Sequence, residues 1–364
     1  MEGVRQITPH LADLGVSTTV ASLDPPDAIW LQRQLFEAIG LGPVAGDYGY
    51  RRGLPDRIRA LAQQHDAVII HGIWQYHAFA TWRALHGTGI PYYVYTHGML
   101  DPWFKHTYPL KHLKKWAYWP WADYRVLRDA RAVLFTTEQE RLLARQSFWL
   151  YRAKERVVGY GTSAPPGDAV QQRELFLSHF PQLRGQRILL FLSRIHPKKG
   201  VDLLIDAFAA VAPEDPCLQL VIAGPDQLGW KAQLQQRAAA LGIADRIIWP
   251  GMLSGDLKWG AFRAAELFCL PSHQENFGIV VAESLACGLP VAIAEPVNIA
   301  AEVEAAGAGL VHANTVAGTT DALRQWFALD ASEQAQMGVR GKQLFQEQFD
   351  FASVASNLLP VIEV

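Results

Sequence analysis

Several features that define common protein classes are absent from this sequence of 364 residues. Only three cysteines occur, and they form no Cys-x-x-Cys pair, which argues against a disulfide scaffold and is typical of a reduced compartment. The 33 basic and 35 acidic residues leave a formal charge of −2, so nucleic-acid binding is not expected. No apolar run reaches about 18 residues, and segment 1–9 has no apolar core, so we expect neither a membrane-spanning helix nor a secretory signal.

Two phosphate-binding signatures are also missing. No Gly-x-Gly-x-x-Gly motif follows a predicted strand, which argues against a dehydrogenase, and the P-loop pattern is absent. The rest of the composition is ordinary for a globular protein, with 50% hydrophobic and 19% charged residues. At roughly 150 residues per domain, the length predicts two domains.

Short apolar runs alternate with longer helical stretches along the chain. Most runs are rich in β-branched or aromatic residues and end near Gly, Pro, His or Ser, as buried parallel strands do. This alternation predicts parallel sheets covered by helices on both faces, which is the doubly wound α/β class. The predicted strands are Val16–Ala21, Ala67–Ile70, Tyr92–Tyr95, Ala132–Phe135, Arg156–Val158, Ile188–Leu192, Gln219–Ile222, Ile247–Trp249, Leu267–Leu270 and Val291–Ile293.

The predicted strands fall into two sets. We therefore predict a Rossmann-like domain over 1–163, a linker rich in Gly, Pro and charge over 164–185, and a second Rossmann-like domain over 186–344. A last helix over about 345–364 is expected to pack back on the first domain. Two such domains bind ligands in the cleft between them, where the carboxyl ends of the strands meet.

The first predicted domain opens in an unusual way. A doubly wound domain normally starts with a strand that leads into a Gly-rich turn, whereas this sequence starts with a helix-like segment, Gly3–Leu14. A first strand and most of its turn are therefore expected to be missing. Either the sheet lacks a central strand, or the start lies upstream.

The strongest motif follows the predicted strand Leu267–Leu270. Glu275 precedes a helix expected to begin near Phe277, and Glu283 lies inside it, so two carboxylates about 12 Å apart could contact separate hydroxyl-bearing parts of one ligand. The free N–H groups of residues 276–278 would face an anion. The alternative is that Glu275 caps the helix and Glu283 is solvated.

A basic loop follows another predicted strand, Ile188–Leu192. Arg194 offers a planar fork for phosphate and Lys199 a mobile point charge, and together they could flank a diphosphate. The alternative is a solvated basic loop.

Histidines end two strands of the first predicted domain. His97 precedes the flexible Gly98, and His71-Gly72 repeats the pattern. Each could hydrogen-bond a ligand, although a histidine at a strand end is more often a capping or core residue.

Segment 103–128 mixes aromatic and basic residues. It contains eight aromatic and six basic side chains, with Asp123 as its only acidic residue. Such a mixture suits the surface of a membrane that carries anionic lipid. The alternative is a helical pair packed in the first domain with its lysine heads in water.

Taken together, these motifs resemble the family 4 retaining glycosyltransferases of the GT-B fold, also called group 1 glycosyltransferases. The resemblance is specific over 186–300, through the E-x7-E spacing, the Arg-to-Lys-Gly loop and Val221-Ile-Ala-Gly224-Pro-Asp226. It is weaker in the first half, through His97-Gly98 and Thr136-Thr-Glu138. The stretches 96–103 and 296–299 resemble the subgroup that builds exopolysaccharide or lipopolysaccharide chains.

The resemblance implies a catalytic set of His97, Arg194, Lys199 and Glu275. Arg194 and Lys199 would hold the donor diphosphate and neutralise the leaving nucleotide. Glu275 would hydrogen-bond hydroxyls of the transferred sugar, close to the main-chain N–H groups of Asn276, Phe277 and Gly278. His97, in the first domain, would contact the transferred sugar.

The resemblance also implies how the nucleotide is held. Glu283 would bind the ribose hydroxyls, and the chain around Gly251 and Met252 would hold the base. The donor is expected to be a UDP- or GDP-sugar. No Asp-x-Asp motif occurs, and we expect no metal ion, no cofactor and no enzymic nucleophile, because fixed positive charge would stabilise the leaving diphosphate.

The predicted function is transfer of a hexose to a glycan or lipid-linked acceptor in cell-surface polysaccharide biosynthesis. The expected location is the cytoplasm, with peripheral contact at the inner face of the plasma membrane through 103–128.

The sequence departs from the family in three places, which keeps two alternatives open. The opening strand is missing, Tyr160-Gly161 replaces the usual Asn-Gly, and 297–302 replaces Gly-Gly-x-x-Glu, with Glu302 as its acidic residue. One alternative is a truncated, non-catalytic protein that binds nucleotide sugars. The other is a sugar-nucleotide epimerase of the same fold.

Overall fold

The computed structural model describes residues 2–34 and 36–362. They form two compact units. The first contains the chain up to Tyr160 and again from Phe351 onward, and the second contains Gly161–Asp350. Both are built on parallel strands with intervening helices, so the predicted doubly wound α/β class is confirmed. Residues 363–364 of the expected last helix lie outside the described residues.

The strands coincide closely with the predicted apolar runs. Tyr92–Tyr95 and Ala132–Phe135 are buried at every position, as expected for strands covered on both faces. The strands are β1 (Thr19–Ser22), β2 (Glu37–Gly40), β3 (Val68–His71), β4 (Tyr92–Tyr95), β5 (Ala132–Phe135), β6 (Glu155–Val157), β7 (Arg187–Leu192), β8 (Leu218–Ala223), β9 (Ile247–Gly251), β10 (Leu267–Leu270), β11 (Val291–Ala294) and β12 (Gly309–His312).

The helices occupy most of the intervals between strands. Side-chain caps start several of them; for example, Thr137 accepts from the Glu140 N–H at the start of α7. The helices are α1 (Glu2–Asp13), α2 (Leu54–Ala62), α3 (Tyr76–Leu85), α4 (Trp103–Thr107), α5 (Pro109–Tyr118), α6 (Asp123–Asp129), α7 (Glu138–Ala144), α8 (Ala169–His179), α9 (Val201–Val211), α10 (Lys231–Ala240), α11 (Gly255–Ala264), α12 (Ile279–Ala286), α13 (Ala300–Ala305), α14 (Val316–Ala328), α15 (Ala331–Leu344) and α16 (Phe351–Ile362).

The strands of the first unit form two parallel sheets. β1 pairs with β2, and β3, β4, β5 and β6 pair in that order, with Val68 opposite Tyr92 and Tyr93 opposite Ala132. Helix α16 packs on α1, and Leu358 joins a cluster with Tyr93 that also contacts Ile7. The end of the chain therefore contributes to the core of the first unit.

The second unit has a six-stranded parallel sheet with the order β12-β11-β10-β7-β8-β9. The chain builds outward from β7 to β9 and then crosses back to β10, on the other side of β7. The strand order therefore reverses between β7 and β10. Ligands of open α/β sheets bind at the carboxyl ends of the strands at such a reversal.

Strands β2 and β12 and a helix inside the expected linker were not predicted. Strands β2 and β12 are short and carry few β-branched residues, so their pattern is weak. The segment 164–185, expected to be a linker, contains helix α8, which packs closely on α11 within the second unit. Asp168 caps this helix by accepting from the Gln171 N–H at 2.8 Å.

The two ends of the second unit are bonded to each other. The Thr162 N–H donates to the Phe349 carbonyl oxygen at 3.0 Å, and Thr162 forms a parallel bridge with Asp350. A side chain at Gly161 would collide with the Phe349 carbonyl group, so only glycine fits there.

Candidate active site

Two loops of the candidate site follow β7 and β10, the strands that flank the reversal point of the second sheet. The first loop runs over 193–200 and the second over 271–278. The His273 N–H and the Ser272 hydroxyl both donate to the Lys198 carbonyl oxygen, at 2.8 and 3.0 Å. The two motifs, which were predicted on separate segments, thus lie at one edge of the sheet and are hydrogen-bonded to each other.

Gly200 makes this close approach possible. Its backbone is left-handed, with φ +67°, and an added Cβ would collide with the Pro271 carbonyl oxygen. Glycine tolerates this conformation and leaves room for the neighbouring loop. The Gly in the Lys-Gly motif therefore has a packing role that supports the adjacent Lys199.

Lys199 and Glu275 form an ion pair between the two loops. The Lys199 Nζ donates to Glu275 Oε2, and Lys199 is only 6% exposed. Burial lowers the pKa of Lys199 to about 7, and Lys198 and Arg194 act in the same direction. The alternative of a solvated basic loop is wrong for Lys199, although Arg194 is exposed.

A third loop fixes the main chain of Glu275. The Glu275 N–H donates to the Pro296 carbonyl oxygen, and the Asn298 N–H donates to the Glu275 carbonyl oxygen, each at 3.0 Å. This loop follows β11 and contains 297–299, the first half of the segment that departs from the family pattern. Glu302 lies beyond it on α13 and is half-buried.

Helix α12 begins at Ile279, two residues later than predicted. Gly278 precedes it with φ +84° and forms no side-chain cap, and the segment from Glu275 to Gly278 is not helical. The separation of about 12 Å, which assumed a continuous helix, therefore does not apply. Glu275 does not cap the helix, and the Phe277 side chain is buried edge-on against Phe349.

Glu283 lies on the buried side of α12. It is 8% exposed, and its Oε1 accepts from the Lys258 Nζ of α11 at 2.8 Å. Burial raises the pKa of Glu283, and Lys258 opposes that shift. The alternative of a solvated helical glutamate is therefore wrong. Lys258 was not singled out in the sequence, because its partner lies 25 residues away.

The segment predicted to hold the base lies at the end of β9. Gly251 has φ +77°, and its carbonyl oxygen accepts from the Gly224 N–H at 2.8 Å. Met252 is largely exposed. The nucleotide-binding roles of Gly251 and Met252 stay predictions.

His97 follows β4 of the first unit in a left-handed turn. Its φ is +48°, which is unusual for a residue other than glycine, and Gly98 follows with φ +72°. The buried Glu140 holds this turn by accepting from the Thr96 hydroxyl at 2.7 Å and from the Gly98 N–H at 2.6 Å. Glu140, which was not predicted, follows the motif Thr136-Thr-Glu138 and also accepts from the Thr136 N–H and hydroxyl.

His71 and His97 are paired. His71 Nδ1 lies 3.0 Å from His97 Nε2, and the two rings stack with centroids 5.2 Å apart. Desolvation by the surrounding groups lowers the pKa of His71, whose ring keeps some exposed surface, to about 3, and that of His97 to about 4. Both rings are therefore neutral at pH 7, so one nitrogen of the pair donates and the other accepts.

Within residues 2–34 and 36–362, no group of three or more His, Cys, Asp or Glu side chains is placed to hold a metal ion. The helices described there are all too short or too polar to span a lipid bilayer.

The fold is that of solved glycosyltransferases. HepE from Anabaena, crystallised with UDP-glucose, superposes with a TM-score of 0.74 over 98% of this chain and 93% of HepE, at 17% identity. WaaG, described as a glycosyltransferase involved in lipopolysaccharide biosynthesis, gives 0.68 over 99% of this chain and 94% of WaaG, also at 17% identity. At these identities the likeness shows the fold alone, which is GT-B.

Family comparison agrees with the fold. Residues 177–344 match the family described as "Glycosyl transferases group 1", and residues 2–161 match the "Glycosyl transferase 4-like domain". Residues 177–344 are therefore a group 1 glycosyltransferase domain, and residues 2–161 are a glycosyltransferase 4-like domain. A D-inositol 3-phosphate glycosyltransferase of Nocardia farcinica is 32% identical over 248 residues, which is 65% of this chain and 53% of that protein. Matches to such curated relatives span between 25% and 53% of their length.

Proposed function

We propose that this protein transfers a hexose, with retention of configuration, from a nucleotide-diphosphate sugar to a glycan or lipid-linked acceptor in cell-surface polysaccharide biosynthesis. The observation that carries the proposal is the buried Lys199–Glu275 pair at the carboxyl ends of β7 and β10, with Arg194 on the same loop. A cation for a diphosphate and a carboxylate for sugar hydroxyls stand side by side there, where α/β sheets bind their ligands.

In the proposed reaction, fixed positive charge stabilises the departing diphosphate. The bond between the anomeric carbon and the β-phosphate oxygen breaks, and the acceptor hydroxyl oxygen bonds to that carbon on the same face of the sugar. The hydroxyl proton passes to the departing phosphate oxygen. Lys199 and Arg194 supply the opposing charge in place of a metal ion. Glu275 is not assigned as a nucleophile, because its carboxylate is already hydrogen-bonded to the Lys199 Nζ.

A UDP-sugar is the donor we favour. HepE, which shares the fold, was crystallised with UDP-glucose. The test is a thermal-shift panel with UDP, GDP, ADP and CMP. A ligand at about a hundred times its dissociation constant adds about 2.7 kcal/mol to the free energy of unfolding. A shift with UDP or GDP supports the donor site, and no shift with any of the four contradicts it.

The acceptor has a second candidate. Curated relatives are named D-inositol 3-phosphate glycosyltransferases, so inositol phosphate is an alternative acceptor to a glycan or lipid-linked sugar. Transfer from a radiolabelled donor to inositol 3-phosphate, or to a lipid extract, distinguishes the two. Release of an isomerised sugar nucleotide without any acceptor would favour the epimerase instead. Donor binding without any transfer would favour a non-catalytic protein.

We also propose that segment 103–128 brings the first unit to an anionic membrane surface in the cytoplasm. Part of this segment is core, because Trp119 is fully buried. Leu110 and Leu113 of α5, however, are 78% and 66% exposed, and the nearby lysines at 105, 111 and 114 are exposed too. Trp149, 81% exposed, comes from a different loop and stacks on the Trp116 ring at 5.8 Å.

Exposed apolar side chains such as Leu110, Leu113 and Trp149, with exposed lysines on the same segment, fit an interface of acyl chains and anionic headgroups, where each lysine contributes about 1 kcal/mol. Flotation with phosphatidylglycerol vesicles should recover the wild-type protein. The double variant Leu110→Asp/Leu113→Asp should not float. The equally exposed Val339, on α15 of the second unit, provides the control Val339→Asp, which should float normally. Absence of wild-type flotation would overturn the membrane proposal.

A further inference from the structure

We infer that Lys258 is a positioning residue of the nucleotide site, which holds the Glu283 carboxylate ionised and oriented for the ribose hydroxyls. The inference rests on the proposed function, in which Glu283 receives the ribose. Lys258 itself is not assigned a contact with the donor.

The geometry joins two helices that are separate in sequence. Lys258 lies in the middle of α11 and Glu283 in the middle of α12, and their 2.8 Å contact crosses from one helix to the other. The side chains are only 22% and 10% exposed, so water screens the pair weakly. The Lys258 Nζ also lies 4.1 Å from the centroid of the Trp259 ring, which limits where the ammonium can move.

Helix α11 is a rigid support for Lys258. A side chain at Gly260 would collide with the Gln172 carbonyl oxygen of α8, so the two helices pack backbone to backbone. Trp259 is buried, and the Asp256 Oδ1 accepts from the Gln172 Nε2 at 2.9 Å. Lys258 is therefore presented to Glu283 by a helix whose position is fixed on its other face.

Among the charged groups near Glu283, Lys258 is the one that acts directly on the Glu283 carboxyl group. Burial alone raises the pKa of this carboxyl group, and Lys258 lowers it through its charge and its hydrogen bond. Arg263 of α11 and Lys342 of α15 lie near the C-terminal end of α12, where they lower the pKa of the Cys287 thiol. The Arg263 guanidinium donates to the Cys287 carbonyl oxygen at 3.2 Å. Without Lys258, Glu283 would be a buried carboxyl group that holds its proton to a higher pH.

Protonation matters because of what the ribose requires. A carboxylate accepts hydrogen bonds from both hydroxyls of a cis-diol, whereas a carboxylic acid carries a proton on one oxygen and accepts less well. Loss of Lys258 should therefore weaken the interaction with the ribose diol and leave contacts to the diphosphate and base unchanged.

The test compares UDP with 2′,3′-dideoxy-UDP, which lacks both ribose hydroxyls, by calorimetric titration. In the wild type, UDP should bind more tightly than the dideoxy compound. Lys258→Met should weaken UDP binding by about tenfold to a hundredfold, the range for one charge-assisted hydrogen bond, and should leave binding of the dideoxy compound unchanged. Lys258→Arg, which keeps the charge, should restore most of the preference.

The pH dependence gives a readout that a purely structural role would not move. In Lys258→Met, the ratio of the two affinities should be smallest at low pH and grow as the pH rises and Glu283 ionises. In the wild type the ratio should stay constant from pH 6 to 8. The ratio cancels any titration at the diphosphate. Lys342→Met, which removes an exposed lysine near the other end of α12, is the matched control and should behave as the wild type.

The outcomes separate the inference from the proposed function. A wild type that binds neither UDP nor GDP refutes the donor site itself. A wild type that binds UDP, with Lys258→Met weakening both ligands equally or neither, overturns the role of Lys258 alone. If Lys258→Met does not fold, Lys258→Gln keeps the hydrogen bond without the charge and should show the same growth of the ratio with pH.

Discussion

The proposed place of Lys199 at the donor diphosphate predicts that nucleotide binding depends on pH. Burial lowers the pKa of Lys199 to about 7 in the free protein, so about half of the molecules carry the charge at neutral pH. A diphosphate next to the ammonium would raise that pKa, since the anion favours the charged form. Binding of UDP should therefore draw a proton from solution.

The sign and magnitude follow from the two states of Lys199. When the pKa of a group is higher in the complex than in the free protein, its full contribution to affinity is present below the pKa of the free protein. That contribution is lost as the pH rises above this value. The charged fraction falls from about one half at pH 7 to about one hundredth at pH 9, which weakens the affinity for UDP about fiftyfold. The phosphate groups of UDP are fully ionised above pH 7 and add no dependence of their own.

Calorimetric titration of UDP at pH 8 in two buffers of different ionisation enthalpy measures the proton uptake, which should approach one proton per UDP. Lys199→Arg should bind with little change between pH 7 and 9, because arginine does not titrate there. Lys342→Met, which removes an exposed lysine of α15, should keep the wild-type slope. An affinity of the wild type that stays constant from pH 7 to 9, with no proton uptake, would refute the placement of Lys199 at the diphosphate.

Three further predictions concern stability. Gly200 has φ +67°, and Gly200→Ala adds a Cβ that collides with the Pro271 carbonyl group. Scanning calorimetry should show a much larger fall in melting temperature than for the control Gly242→Ala, whose φ is +71° but whose surroundings are open. Glu140→Gln weakens four charge-assisted hydrogen bonds and should cost about 2–4 kcal/mol by urea unfolding, whereas the exposed Glu138→Gln should cost less than 1 kcal/mol. Burial raises the pKa of Asp123 to about 7, so the native state loses stability as the pH rises toward that value, and Asp123→Asn should stabilise the protein at pH 8 but hardly at pH 4. Asp129→Asn, which weakens a pair with Arg128, should not stabilise at either pH.

Much of the fold could be predicted from local pattern. β4, β5 and β10 have the predicted bounds, because short runs of β-branched and aromatic residues between turn residues usually form strands. Helix α8 was missed because Gly, Pro and charge precede it, and its start depends on a single cap at Asp168. The local composition therefore indicates the loop that precedes α8, but not the helix.

The candidate site could be predicted only in part. The loops after β7 and β10 were located because ligands of α/β proteins bind at strand ends. The ion pair between Lys199 and Glu275 was not predicted, because it depends on β7 and β10 being neighbours in the sheet. Glu140 and Lys258 were missed because each acts on a partner 25 or more residues away, Thr96 in one case and Glu283 in the other. Such pairs depend on how helices pack, which a single sequence does not record.

The bonded ends of the second unit have a consequence for protein engineering. Thr162 and Phe349 are joined by a hydrogen bond, so the second unit is a closed insertion whose entry and exit points are neighbours. A domain of this kind can be excised or circularly permuted with little loss of native contacts. The fragment 161–350 should fold alone and retain the Lys199–Glu275 and Lys258–Glu283 pairs. If the proposed donor site is correct, the fragment would be a portable nucleotide-binding domain that could be exchanged between enzymes of this architecture.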